Sequence, residues 1–320
     1  MIKLALIEAD LIRRGLDPDF VVQKDAIPGD LPPTVSRTEF LALQMRYGYQ
    51  RAVALIRARI QLTELERELR ATSQSTSAAM QTAIEASHVG ELGQAFRDTA
   101  ETNIRASYLR GAREGERGLR QAEIRIRFDA MNPHAAQFAR TQSSELITQI
   151  NESQREAVRN LIETSVSNGR TVQDIARDIR NVVGLRDDQA TALMNYRERI
   201  TQRGKFTVDQ IEAKVSRYAD ALLKQRGELI ARTEVLHAAN QGQLETWMEA
   251  QRQGVLGNEY RKKWVLTPDE LLCPECEAMD GEVVEFDQEF DNHQGETAMV
   301  PPLHPNCRCS MVLVKADESN

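Results

Sequence analysis

All four cysteines of this chain lie near its end, in two short turns. The first is Cys273-Pro274-Glu275-Cys276, and the second is His304-Pro305-Asn306-Cys307-Arg308-Cys309. Four thiols and an imidazole at these spacings suit a tetrahedral zinc site. A C-x-x-C turn holds two thiolates about one metal diameter apart, and H-x-x-C-x-C can supply the other two donors. The loop between the turns then becomes a metal-clamped knuckle. Two simpler arrangements compete. A pair of disulfides would need an oxidising compartment. The opening residues break their apolar run with Glu8 and Asp10 and show no cleavage-site pattern, so no secretory leader is expected. Four inert core thiols would not gather in this way. Cys273, Cys276 and Cys307 belong to any version of the site, and the fourth ligand is Cys309 or His304. An all-thiolate set would carry a charge of about −2, which Arg308 would offset. That favours the four cysteines, with His304 as an outer or alternate ligand.

Composition narrows the rest. A length of 320 residues suggests two domains. Charged residues make up 28% and aromatics only 5%, a mixture that favours helices with solvated faces. No apolar run reaches membrane-spanning length, so no membrane partner is expected. A net charge of −7 argues against coating nucleic acid by bulk attraction, though not against a local basic patch. Between Trp264 and Val300 there are eleven Asp or Glu and no Lys or Arg. A solvated loop is the simpler account of that run, and docking on a basic protein is the alternative.

Pro18, Pro28, Pro32 and Pro33 punctuate residues 1–34, which read as an irregular arm. A helical region follows over 35–145. Leu55, Leu62 and Leu69 recur every seven residues, as a short seam for a partner helix would. Arg110, Arg113, Arg117 and Arg120 step along one helix face. Pairing with Glu114 and Glu116 is the plain reading, and contact with DNA phosphate or an acidic partner is the functional one. Gly111, Gly115 and Gly118 weaken that helix by about 1 kcal/mol each relative to Ala. Ile124, Ile126 and Phe128 alternate with arginines, as in a short strand or an extended crossing segment. Further on, Asn168-Gly169 ends a helix and Thr171 caps the next, with Asp174 three residues later. Helices are expected over Thr207 to Leu223 and again from Gly227 to about Gln253. After Gly254 the period changes, and strands are expected near Lys263–Leu266, Glu282–Phe286 and Ser310–Val314. The fold expected is α+β: a mainly helical N-terminal region, then a small zinc-stapled α+β domain within 146–315, and a tail at 316–320.

Ile230-Ala-Arg-Thr-Glu234, Asn240, Trp264, the C-x-x-C turn, Asp280-Gly281 and Pro302-Leu-His-Pro-Asn-Cys-Arg-Cys309 together resemble the phage Mu protein F-like family. The helix Asn168 to Arg177 is similar too, and the likeness covers about residues 150–312. The resemblance implies a minor head, or head morphogenesis, protein of tailed bacteriophages. Such proteins associate with the portal vertex or inner capsid, and some affect DNA delivery. It implies the portal or major capsid protein as partners, packaged DNA as a further one, a place in the virion, and no enzymatic activity. The family's likeness to ADP-ribosyltransferases supplies an alternative, an NAD-using enzyme with Arg232 on the phosphates and a Glu-x-Glu pair on the ribose. The only later Glu-x-Glu, Glu275-Cys276-Glu277, flanks a metal ligand, so its carboxylates are poorly free to act, and Arg232 and Glu234 read as structural. A zinc nuclease using His304 and His293 is a third reading, which a saturated thiolate site disfavours. His88, His134 and His237 read as ordinary helix residues.

Overall fold

The computed structural model describes residues 36–72, 77–126, 128, 133–266, 274–305 and 307–316. The arm read at 1–34, Cys273 and residues 317–320 lie outside the described residues. Eight helices of ten residues or more are present among them: α1 (Arg37–Arg59), α2 (Leu62–Thr72), α3 (Ser77–Ala86), α4 (Leu92–Gln121), α5 (Pro133–Ser167), α6 (Val172–Val182), α7 (Asp187–Gln202) and α8 (Val208–Arg252). Then come β1 (Tyr260–Val265), a one-turn helix α9 (Pro274–Glu277), β2 (Val283–Val284), β3 (Phe290–Asp291), β4 (Thr297–Ala298) and β5 (Ser310–Lys315).

Two units form, each from separated stretches of chain. One, the helical unit, comprises Arg46–Ala100 and Ser143–Glu228. The other, the sheet unit, comprises residues 36–45, Glu101–Gln142 and the chain from Leu229 onward. The expected region 35–145 therefore contributes to both, because α1, α4 and α5 each supply residues to both.

In the helical unit, local signals act as their chemistry dictates. The α5 helix stops at Gly169, which takes φ +65°, a conformation glycine adopts without steric cost. Thr171 Oγ1 accepts from the Asp174 amide at 3.2 Å and caps α6. Gly184 takes φ +87° after α6, with the Val53 and Leu223 side chains against it. The seven-residue seam does not form. Leu55 is 48% exposed, whereas Val53, Ile56, Leu65 and Leu69 are buried. The chain leaves the helix at Ile60 and Gln61, so the repeat spans a break that resets the helical phase. Gly227 does not separate two helices. It lies within the 45-residue α8, where a Cβ would stand 3.1 Å from Arg46 Cγ, so it makes room for the buried Arg46–Glu228 ion pair.

In the sheet unit, β2-β1-β5 form an antiparallel sheet, with Trp264 opposite Met311 and Lys263 opposite Val283. All three strands were expected from the sequence. The β3–β4 hairpin was not, because two-residue strands leave no periodicity to read. Residues 124–126 form no strand. They are the extended crossing segment, with Ile124 and Ile126 packed on the core of Leu119, Leu244, Trp247, Phe286 and Met311. The glycines of α4 explain themselves here. A Cβ on Gly111 would lie 2.5 Å from the Ala239 carbonyl carbon, and one on Gly242 would lie 2.8 Å from that of Tyr108. Two helix backbones touch at that crossing, where only glycine fits.

Candidate metal centre

The sheet brings the two thiol turns together. Cys276 lies on α9, whose exit is fixed to the end of β1. The Gly281 amide donates to Trp264 O at 3.1 Å, Leu266 N donates to Asp280 Oδ1 at 3.2 Å, and Gly281 takes φ +81°. The Asp280-Gly281 pair thus turns the chain into β2. On the other side, Cys309 directly precedes β5, whose first residue, Ser310, pairs with Val265 at the end of β1. A turn closed by Cys307 N on His304 O at 3.1 Å presents His304 and Cys307 on the same side.

Cys276 Sγ lies 3.6 Å from Cys307 Sγ and 3.0 Å from His304 Nε2. One ligand atom from each of the three residues lies within 4.8 Å of the others. Tetrahedral zinc, with bonds of about 2.3 Å to sulfur and about 2.0 Å to nitrogen, needs S···S near 3.8 Å and S···N near 3.5 Å. The arrangement therefore fits a metal. His304 Nδ1 is 2.8 Å from the Pro305 carbonyl, so the assigned tautomer donates there and turns the Nε2 lone pair toward Cys276. That backbone anchor is common among metal-ligating histidines.

The surroundings are apolar. Cys276, Cys307 and Cys309 are buried with Trp264, Met279 and Phe290, and Phe290 meets the Trp264 ring edge-on at 5.1 Å. All three cysteines are thiols. The Cys307 thiol is lowered to about 5, chiefly by a hydrogen bond from Cys309 and against the effect of burial. The Cys309 thiol is raised, chiefly because it holds that proton. Trp264 Nε1 faces Cys309 closely enough to favour its thiolate, yet it meets no partner in regular hydrogen-bond geometry. Cys309 is therefore the neighbour that activates Cys307, while His304 is the donor that converges with Cys276 and Cys307. Cys309 also stands against Cys276, so both candidates for the fourth ligand, Cys309 and His304, lie at the cluster, and the position of His304 depends on the turn at Pro305, which spacing does not reveal. His293 has φ +55° in the β3–β4 loop, with its side chain 77% exposed.

The arginine face on α4 is engaged locally. Arg110 bonds Thr38 and lies 3.5 Å from Glu114, Arg117 lies 2.7 Å from Glu114, and Arg120 lies 3.6 Å from Glu116. Arg113 is exposed. Glu234 accepts from Gln142 at 3.0 Å, and Asn240 donates to Pro301 O at 2.9 Å, so these α8 residues brace the unit. His237 is held below its usual pKa by burial and packs edge-on against Phe138. His88 lies 2.9 Å from Glu91. Sequence reading missed Lys262, which is fully buried on β1. It donates to Met299 O at 2.7 Å and lies 4.9 Å over the Phe290 ring, and burial lowers it to about 8. The alternation of β1, with buried residues at every second position, was the available signal.

No helix among the described residues is long and apolar enough to cross a membrane. No curated protein and no solved structure matches the chain. The family model described as phage Mu protein F like protein matches residues 156–312, a span that includes both thiol turns and the whole sheet up to Val312. Over that span the chain is similar to the phage Mu protein F-like family, a match that supports a phage head morphogenesis protein.

Proposed function

We propose that this protein is a structural component of the phage head, associating with the portal protein or major capsid protein at the portal vertex or inner capsid surface. In that position it affects DNA packaging or ejection without catalysing a reaction. The family match over 156–312 is the observation that carries this reading. Zinc is the metal proposed for the C-terminal centre, held by Cys276, His304 and Cys307, with Cys273 and Cys309 available to complete the set. Bound there, zinc supplies cross-linking between the two turns and no open position for a reacting water.

The carboxylates beside the site support a non-enzymatic reading. Glu275 Oε2 stands 3.8 Å from His304 Nε2, so one carboxylate of the Glu-x-Glu pair flanks the candidate ligands. Co-expression with the portal and major capsid proteins of the same phage tests the assignment. The protein is expected to sediment with proheads and to leave them when the portal is omitted. A chain that stays at the top of the gradient in both cases refutes it.

A further inference from the structure

Three of the four α4 arginines lie beside Glu114 or Glu116. The turn between α7 and α8 is different. Arg199, Arg203, Lys205, Lys214 and Arg217 cluster in sequence around it, and among the described residues none has a carboxylate partner. The local acids are occupied elsewhere. Glu212 takes Arg197 through bonds of 2.5 and 2.8 Å. Glu198 accepts from Gln202 at 3.0 Å. Asp209 sits in the first turn of α8, where the helix dipole favours it.

Aromatic rings hold two of these cations instead. The Arg199 guanidinium lies 5.6 Å from the Tyr196 ring centre, and the Lys214 ammonium lies 4.6 Å from that of Phe206. A ring face orients a cation but leaves its charge in place, whereas a carboxylate cancels it. Gly204 takes φ +61° at the apex with open space around it, and Val208 beside it is 66% exposed. Positive charge on a turn, exposed at Arg199, Arg203, Lys205 and Arg217, suits a long repeating anion better than a single enclosed one. In a chain of net charge −7, only such a local patch can approach a polyanion.

We propose that the α7–α8 turn is a contact surface for the phosphate backbone of duplex DNA, without base reading. The proposal does not depend on the metal centre. Each neutralised phosphate adds about 0.9 to the slope of log affinity against log salt, so four contacts give a slope near −4 and a loss of more than about a hundredfold between roughly 50 and 200 mM salt.

The test is fluorescence anisotropy of a labelled duplex with the full chain. Arg203→Glu with Lys205→Glu is expected to weaken binding at least about tenfold and to flatten the salt slope by about 2. Arg113→Glu with Arg117→Glu on α4 is expected to leave both within about twofold. Unchanged helix signal and melting would show that both variants fold. The proposal is overturned if the wild type fails to bind duplex at low salt, or if the tip variant binds as the wild type does. It is also overturned if polyglutamate of equal charge displaces the duplex equally well, which would assign the surface to an acidic protein.

Discussion

Two glycines on one helix should respond to alanine with opposite signs. At Gly111 a Cβ would lie 2.5 Å from the Ala239 carbonyl carbon and 2.7 Å from its Cα. Those are backbone atoms and cannot rotate aside, so α4 and α8 would have to separate by more than about 1 Å. Separation would loosen the bond from Trp247 Nε1 to Gly115 O and that from Thr246 Oγ1 to Ala112 O, both 3.3 Å. Overpacking costs about 1–3 kcal/mol and each weakened bond up to about 1, against a helix-propensity gain of about 1. The net loss is up to about 4 kcal/mol, centred near about 2. At Gly118 the nearest atom to a new Cβ is Trp247 Nε1 at 3.7 Å, an ordinary contact. There the propensity gain stands nearly alone, at about 0.5–1 kcal/mol. With about 2–4 °C per kcal/mol for units of this size, Gly111→Ala should lower the sheet unit's melting midpoint by about 6 °C and by no more than about 15 °C, and Gly118→Ala should raise it by a few degrees. Circular dichroism melts of the full chain, with hydrogen exchange on α8 to assign the transition, provide the measurement. A Gly111→Ala protein as stable as Gly118→Ala would refute the close crossing.

Metal content separates the candidate ligands. His304→Ala should lower bound zinc in purified protein well below one per chain, while Cys309→Ser should retain most of it; the reverse ranking would restore the four-cysteine site. In the helical unit, Asp178 is fully buried between Arg170 at 2.7 Å and Arg197 at 2.8 Å, but neither contact is aligned as a hydrogen bond. Desolvation therefore outweighs both arginines, and the carboxyl rises from 3.8 to about 6. An acid whose folded value is raised binds its proton more readily in the native state, so its contribution to stability falls as pH rises from about 4 to about 6. At about 1.4 kcal/mol per pH unit the loss is about 3 kcal/mol. Denaturation at a series of pH values should show that component in the wild type and not in Asp178→Asn, and identical pH dependences would refute it.

What the sequence revealed depended on whether its physics was local. Thr171 with Asp174, and Gly169 after Asn168, act within one helical turn, and their caps form as read. The thiol turns were legible because chelating spacing is itself a short-range pattern. Residues set by a distant partner were not legible. Gly227 looks like a helix end until Arg46 occupies the space beside it. Gly111 looks like a helix defect until Ala239 does the same. Leu55, Leu62 and Leu69 keep perfect heptad spacing across a break that a repeat cannot register. The arginines of α4 and those of the α7–α8 turn look alike in sequence, and only the placement of carboxylates distinguishes them.

The sheet unit gives a physical reason for its thiols. Of the five strands among its described residues, β2, β3 and β4 are two residues long, and β1 and β5 pair over six. A sheet that short offers few ladder bonds, and isolated small sheets are marginal in water. The apolar cluster beneath it contains three cysteines that add little area of their own. A cross-link between the two turns would offset part of the entropy of ordering residues 274–309. Zinc bound as proposed would contribute on the order of 10 kcal/mol, at the two turns that begin and end this stretch. The cluster sits where β1 ends and β5 begins, so closing it fixes the register of the only long strand pair. The same closure orients the loop that runs from Asp280 to His304, which carries most of the acids between Trp264 and Val300. On the proposed reading a bound metal would act on shape, and through shape on whatever surface that loop meets.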